Sequence, residues 1–112
     1  MSSRTQLAKE GFEAYQNGDM VVAATKLKQA IDAREYTFLT AYADICLREL
    51  DGVKRDPSVA AFYYILAADH DDGDALSYLH SLNPILIDKH VHPHERVTQL
   101  ATLLQTNETD LD

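Results

Sequence analysis

The sequence is short of several things, and each shortage excludes something. One cysteine, Cys46, stands in 112 residues. No internal disulfide can form, so a stapled secreted scaffold is excluded and a reducing compartment is expected. Four glycines and three prolines leave few turns, and no glycine-rich phosphate loop is present. Even the apolar run Ala60 to Ala68, with Val59 ahead of it, falls far below the ~20 residues that span a bilayer. The opening residues, Met1 to Gln6, lack the apolar stretch of a signal peptide, so a cytoplasmic location is expected. Basic residues are scarce too: the net charge is −8, and Lys54-Arg55 is the only adjacent basic pair. Nucleic acid and anionic membranes need clustered cations, so neither is an expected partner. The acidity keeps a small domain soluble, and it also suits a basic partner.

What the sequence does contain is helical. Hydrophobic residues make up 46% of the chain, ordinary for one globular domain over 1–112, and alanine and leucine favour helices over sheet. Leu7, Phe12 and Tyr15, with Ala8 and Gly11 between them, form a stripe at three- and four-residue intervals over 5–16. Asn17-Gly18-Asp19 should end that helix and cap the next, over 20–33, with Ala23, Ala24, Leu27, Ala30 and Ile31 on one face. Such short turns make helices antiparallel neighbours. A third helix is expected over 37–50, with Phe38, Ala41, Tyr42, Ile45 and Leu50 at helical spacing. Asp56-Pro57 is the sharpest start signal, a side-chain cap followed by a residue that needs no helical hydrogen bond. The helix after it, to Ala68, is apolar nearly all round and should be sandwiched, with Phe62, Tyr63 and Tyr64 in the core. A fifth helix is expected over 74–81, and Asn83-Pro84 stops it. Ile85 to Val91 reads as either a short extended piece or a helical turn. A last helix over 93–106 turns Val97, Leu100, Ala101, Leu103 and Leu104 inward, and 107–112 reads as a frayed tail.

The helix pairs recur with a period in the thirties, the mark of a helical solenoid. Gly11-Phe12-Glu13-Ala14-Tyr15-Gln16-Asn17-Gly18-Asp19, followed by Ala23 and Ala30, resembles a tetratricopeptide repeat over 5–33. Leu7 replaces that family's first aromatic and Ala14 its helix-A tyrosine. Gly52-Val53-Lys54-Arg55-Asp56, Ala60, Tyr63-Tyr64, Ala67-Ala68 and Gly73-Asp74-Ala75 resemble a Sel1-like repeat over 37–69, with Cys46 at that family's usual glycine. A truncated unit follows over 74–82. The resemblance implies an all-α fold, a short α-solenoid of about two and a half helix pairs, with the helix over 93–106 capping the open end. It also implies a partner-binding groove lined by Phe12, Tyr15, Thr40, Ala43, Leu47, Ser77 and Ser81.

Residues that carry chemistry were weighed against that reading. His90, His92 and His94 would share one side of an extended segment. Pro93 interrupts them, no cysteine lies nearby, and structural zinc wants four ligands, so a polar loop with His92 as a cap is expected and no metal or cofactor is assigned. The Asp69–Asp74 run fails as a calcium loop, since Gly73 is its fifth residue and His80 its twelfth. It reads instead as a source of helix caps. Cys46 lies within an amphipathic helix, and no nucleophile-base pairing follows from local spacing. The expected function is therefore non-enzymatic: an adaptor or accessory subunit binding a protein or peptide, with the open side of the first repeat available for a homodimer. The alternative is a small acidic inhibitor or immunity-type protein that occludes a basic, nucleic-acid-binding partner.

Overall fold

The computed structural model describes residues 3–48 and 55–110, with side chains as far as residue 105. Six α-helices carry this part of the chain: α1 (Arg4–Gln16), α2 (Met20–Asp32), α3 (Leu39–Cys46), α4 (Pro57–Asp69), α5 (Gly73–Leu82) and α6 (Pro93–Asp110). A 3₁₀ turn, Pro84–Ile87, joins α5 to α6, and no strand occurs among the described residues. No helix among them is long and apolar enough to cross a membrane. The Gly52-Val53-Lys54 part of the Sel1-like resemblance, Leu50, and the end of the tail at 111–112 lie outside the described residues.

Local signals start most helices. The Asp56 carboxylate accepts the Val59 N–H at 3.1 Å, with Pro57 opening α4. Asp72 does the same for Ala75 at 3.1 Å, so the acidic run does supply a cap. His92 caps through its ring, Nδ1 accepting the His94 N–H at 3.1 Å. Asp19 precedes α2 but makes no side-chain cap hydrogen bond.

Helix ends differ from expectation where the sequence is least punctuated. Helix α3 covers only Leu39–Cys46, because Phe38 offers no cap and Leu47 and Arg48 close into a turn on the Asp44 and Ile45 carbonyls. Helix α6 continues past Thr106 to Asp110, no glycine or proline intervening. The Ile85–Val91 ambiguity resolves as the 3₁₀ turn, with Asn83 accepting the Ile85 N–H at 3.1 Å.

Three helices end in one way. After α1, α2 and α4 a single residue takes left-handed φ: Gly18 at 83°, Arg34 at 66° and Asp71 at 63°. The next N–H then reaches back to an alanine carbonyl, Asp19 to Ala14, Glu35 to Ala30 and Asp72 to Ala67. That closure satisfies carbonyls the helix end would orphan, and it turns the chain sharply enough for the next helix to pack alongside. For Arg34 the left-handed backbone carries a steric cost that glycine would avoid.

Packing follows the same offset. Ala23, Leu27, Ala30 and Ile31 of α2 are buried, and Ala60, Tyr64, Ala67 and Ala68, each the same distance further along the chain, are buried in α4. Helices α1 and α2 cross so closely that a Cβ on Gly11 would sit 2.8 Å from Leu27 Cγ and 3.0 Å from the Leu27 amide nitrogen. Helix α4 is central, contacting α3, α5, α6 and the 3₁₀ turn. Its small residues let these neighbours approach, and Leu79, Leu86, Leu100 and Leu104 close around it. The sandwich is incomplete: Val59 and Phe62 stay exposed, Phe62 at 50%. The placement of Phe62 in the core is thus corrected, while Tyr64 is buried and Tyr63 half-buried.

Helix α6 lays Leu100, Ala101 and Leu104 on α4, with Val97 and Leu103 partly buried beside them. Arg96 is buried as well, at 1% exposure. Its guanidinium donates to both Asp69 oxygens and to the Val91 and Leu86 carbonyls.

Candidate functional site

Helices α1, α3 and α5 leave an open groove of about 600 Å³ between them. On α1 the wall is Phe12 and Tyr15, three residues apart and therefore on one face. On α3 it is the stripe Thr40, Asp44 and Leu47, at i, i+4 and i+7, with Ala41 beside it. Helix α5 and its cap contribute Asp72, Asp74 and Tyr78. Thr37 and Phe38 line the groove ahead of α3, and Tyr64 of α4 reaches it from beneath.

The groove brings together four of the seven residues expected from the sequence: Phe12, Tyr15, Thr40 and Leu47. Ala43 does not line it. Its side chain is fully buried in the cluster around α4, one step around the helix from Asp44. Ser77 and Ser81 are exposed but face away, and Ser81 Oγ donates to the Tyr78 carbonyl at 2.6 Å. Helix α5 buries Ala75 and Leu79 against the core, and that rotation turns Tyr78 toward the groove instead of either serine. The carry-over from the family had the wrong phase on this helix.

Aromatic contacts stiffen the walls. Phe12 stacks on Phe38 with centroids 4.3 Å apart and planes 7° from parallel, and Tyr64 meets Tyr78 at 5.0 Å. Asp44 organises the end near α1. It accepts hydrogen bonds from the Tyr15 hydroxyl and from Arg48, the latter at 2.8 Å. The Arg48 guanidinium carbon sits 5.8 Å from the centroid of the Tyr15 ring. Burial first, and then the hydrogen bond to Asp44, push the Tyr15 phenol above its ordinary range. Burial does the same to Tyr78, with the Asp44 charge adding to it. These phenols hold their protons at neutral pH and offer hydrogen-bonding and stacking surfaces to the groove. The Thr40 hydroxyl oxygen is buried with no hydrogen-bond partner among the described residues.

Phe38, Asp44, Tyr64, Tyr78, Asp72 and Asp74 were missed as groove residues. Asp44 carried a legible signal, since it lies four residues after Thr40 and three before Leu47 on the same face. Tyr64 and Phe38 carried none, because their sequence pattern is that of core residues.

The histidines build no centre. His90 and His92 are exposed ahead of α6 and His94 in its first turn, and Asp88 accepts the His90 N–H at 2.9 Å. Among the described residues no trio of histidine, cysteine, aspartate or glutamate stands close enough to hold a metal ion. Cys46 is apart from the groove and partly buried, and burial pushes its thiol up to about 11. A scan of family models and searches of the curated proteins and of the solved structures find nothing that matches this chain.

Proposed function

We propose that this chain is a non-enzymatic protein-interaction module of tetratricopeptide/Sel1-like character that holds a peptide segment of a partner protein in the α1–α3–α5 groove. One observation carries the reading: three helices turn regularly spaced side chains onto a single aromatic-walled concavity of about 600 Å³. That volume lies within the ~300–1,000 Å³ of ligand pockets. Rigid aromatics are the side chains that most often anchor a partner, because they bury large area at little entropic cost. The polar groups facing the groove are hydroxyls and carboxylates, which suits recognition of hydrogen-bond donors.

The test is selection of peptides from a random display library on the full chain, followed by affinity measurement on Leu47→Gln. This substitution keeps the size of the side chain and removes an apolar contact from the wall. Selected peptides should lose at least about fivefold in affinity, roughly 1 kcal/mol, while the melting temperature changes little. They should also shift the amide resonances of Phe12, Tyr15 and Thr40. Peptides that bind Leu47→Gln as tightly as the parent, and leave those resonances in place, would remove the groove from the account.

A further inference from the structure

Resting on that reading, we infer that the groove selects a peptide bearing a lysine or arginine side chain, whose cation is received at the α5 end by Asp72 and Asp74 beside the Tyr78 ring.

Three carboxylates face the groove, and among the described residues no lysine, arginine or histidine lines it. Among those residues only one of the three carboxylates is neutralised. Asp44 pairs with Arg48, whereas neither Asp72 nor Asp74 has an ion-pair partner among the described residues. Asp72 gives one oxygen to the Ala75 N–H, which leaves the other to a ligand. The α5 N-terminus opposes these charges, but its dipole amounts to about half a positive charge, against two carboxylates. The balance at this end is negative, and apolar walls strengthen the field there. A cation is therefore favoured and an anion repelled.

The chain itself displays the recognition in miniature. At the other end of the groove Arg48 lies over the Tyr15 ring and bonds to Asp44, a guanidinium held between an aromatic face and a carboxylate. Tyr78 with Asp72 and Asp74 repeats those ingredients without a cation. Toward α1 the groove turns apolar, with the stacked Phe12 and Phe38 and the side chain of Leu47. An apolar side chain fits there, so a segment carrying a cationic and an apolar side chain matches both ends of the groove.

Composition of the selected peptides, and their dependence on Asp74, decide the matter. Asp74 is exposed and receives no hydrogen bond from another described residue, so Asp74→Asn and Asp74→Lys leave the core alone. Peptides selected at low salt on the full chain should be enriched in lysine or arginine next to an apolar residue. Asp74→Asn should weaken them about fivefold and Asp74→Lys more than twentyfold, with Asp74→Glu within twofold of the parent. Raising the salt should also weaken them, since the pair is partly exposed. Neutral or acidic peptides that depend on Leu47 but not on Asp74 would overturn this inference and leave the groove in place. If no selected peptide depends on Leu47, the inference falls together with the groove.

Discussion

The Arg96 guanidinium holds the Asp69 carboxylate by two parallel hydrogen bonds, 2.9 Å from Nη1 to Oδ1 and 3.1 Å from Nη2 to Oδ2. This fork joins the first turn of α6 to the last residue of α4, across 27 positions of sequence. Alone, Asp69 would be misplaced, because a carboxylate at a helix C-terminus faces the negative end of the dipole. Arg96 reverses that penalty, and the Val91 and Leu86 carbonyls take two of its other three donors, at 3.0 and 3.3 Å. A buried guanidinium is tolerated only when its donors are satisfied. Here four acceptors surround it, and together they fix the angle at which α6 closes the end of the helix stack.

Arg96→Ala should therefore destabilise the fold by ~3 kcal/mol, since it leaves Asp69 at a helix C-terminus and opens a cavity. For a chain of this size that is a fall of roughly 10–15 °C in melting temperature. Arg96→Lys keeps the charge but not the planar fork, and should recover less than half the loss. Thermal unfolding followed by circular dichroism measures both. An alanine variant melting within about 3 °C of the parent would show that the fork only accompanies the apolar packing of α6.

Gly11 sets the α1–α2 distance. Alanine there improves helix propensity by ~1 kcal/mol, yet its Cβ meets Leu27 Cγ at 2.8 Å and the Leu27 amide nitrogen at 3.0 Å. Leu27 is 1% exposed and cannot swing aside. Overpacking costs ~1–3 kcal/mol, so Gly11→Ala should come out destabilising by ~1–2 kcal/mol in net. Gly73→Ala is the control: nothing lies within 4 Å of that Cβ. It should be neutral or gain ~0.5 kcal/mol. Chemical denaturation of the two variants should therefore move in opposite directions, or at least differ by ~1 kcal/mol. A stabilised Gly11→Ala would mean that the helices can separate freely.

Alkaline pH should loosen the fold. Burial pushes the Cys46 thiol from 9.0 up to about 11, and a nearby Asp56 charge adds to the shift while the Tyr42 hydrogen bond opposes it. Burial likewise raises Tyr42 from 10.0 to about 12. Below about pH 9 the thiol is protonated in folded and unfolded chains alike, and its contribution is complete. As pH rises from about 9 to about 11 the unfolded chain loses that proton first, so stability falls. Denaturation at pH 8, 9.5 and 10.5 should show the decline, and Cys46→Ser should lessen it. At pH 8 the folded thiol should react with a disulfide reagent about a hundredfold more slowly than in urea. Equal rates would place Cys46 at the surface.

How much of this was legible depends on the range of the interaction concerned. Asp56-Pro57 announced α4, and the acidic run announced the Asp72 cap, because a cap bonds to an N–H three residues away. The alanines of α2 and α4 also read as buried, since their spacing belongs to their own helices. Arg96 did not. An arginine in an amphipathic helix reads as its polar face, and only Asp69 far back in the chain makes it a core residue. Two thirds of the groove was similarly hidden: of its twelve lining residues, Phe12, Tyr15, Thr40 and Leu47 came from the tetratricopeptide resemblance, whereas Tyr78, and neither Ser77 nor Ser81, lines it through the roll of α5 on α4.

By itself, then, the sequence determined the helices, most of their starts, the apolar face of every helix but the nearly all-apolar α4, and the acidic balance. All of these rest on side chains acting within a few residues of their own backbone. Only the tertiary structure decided which faces meet. It left Phe62 exposed on a helix that is apolar nearly all round, drew Arg96 inside, and turned Tyr78 and three carboxylates onto one groove. Those outcomes depend on the distance and rotation between packed helices, and close packing sets both through the whole core at once.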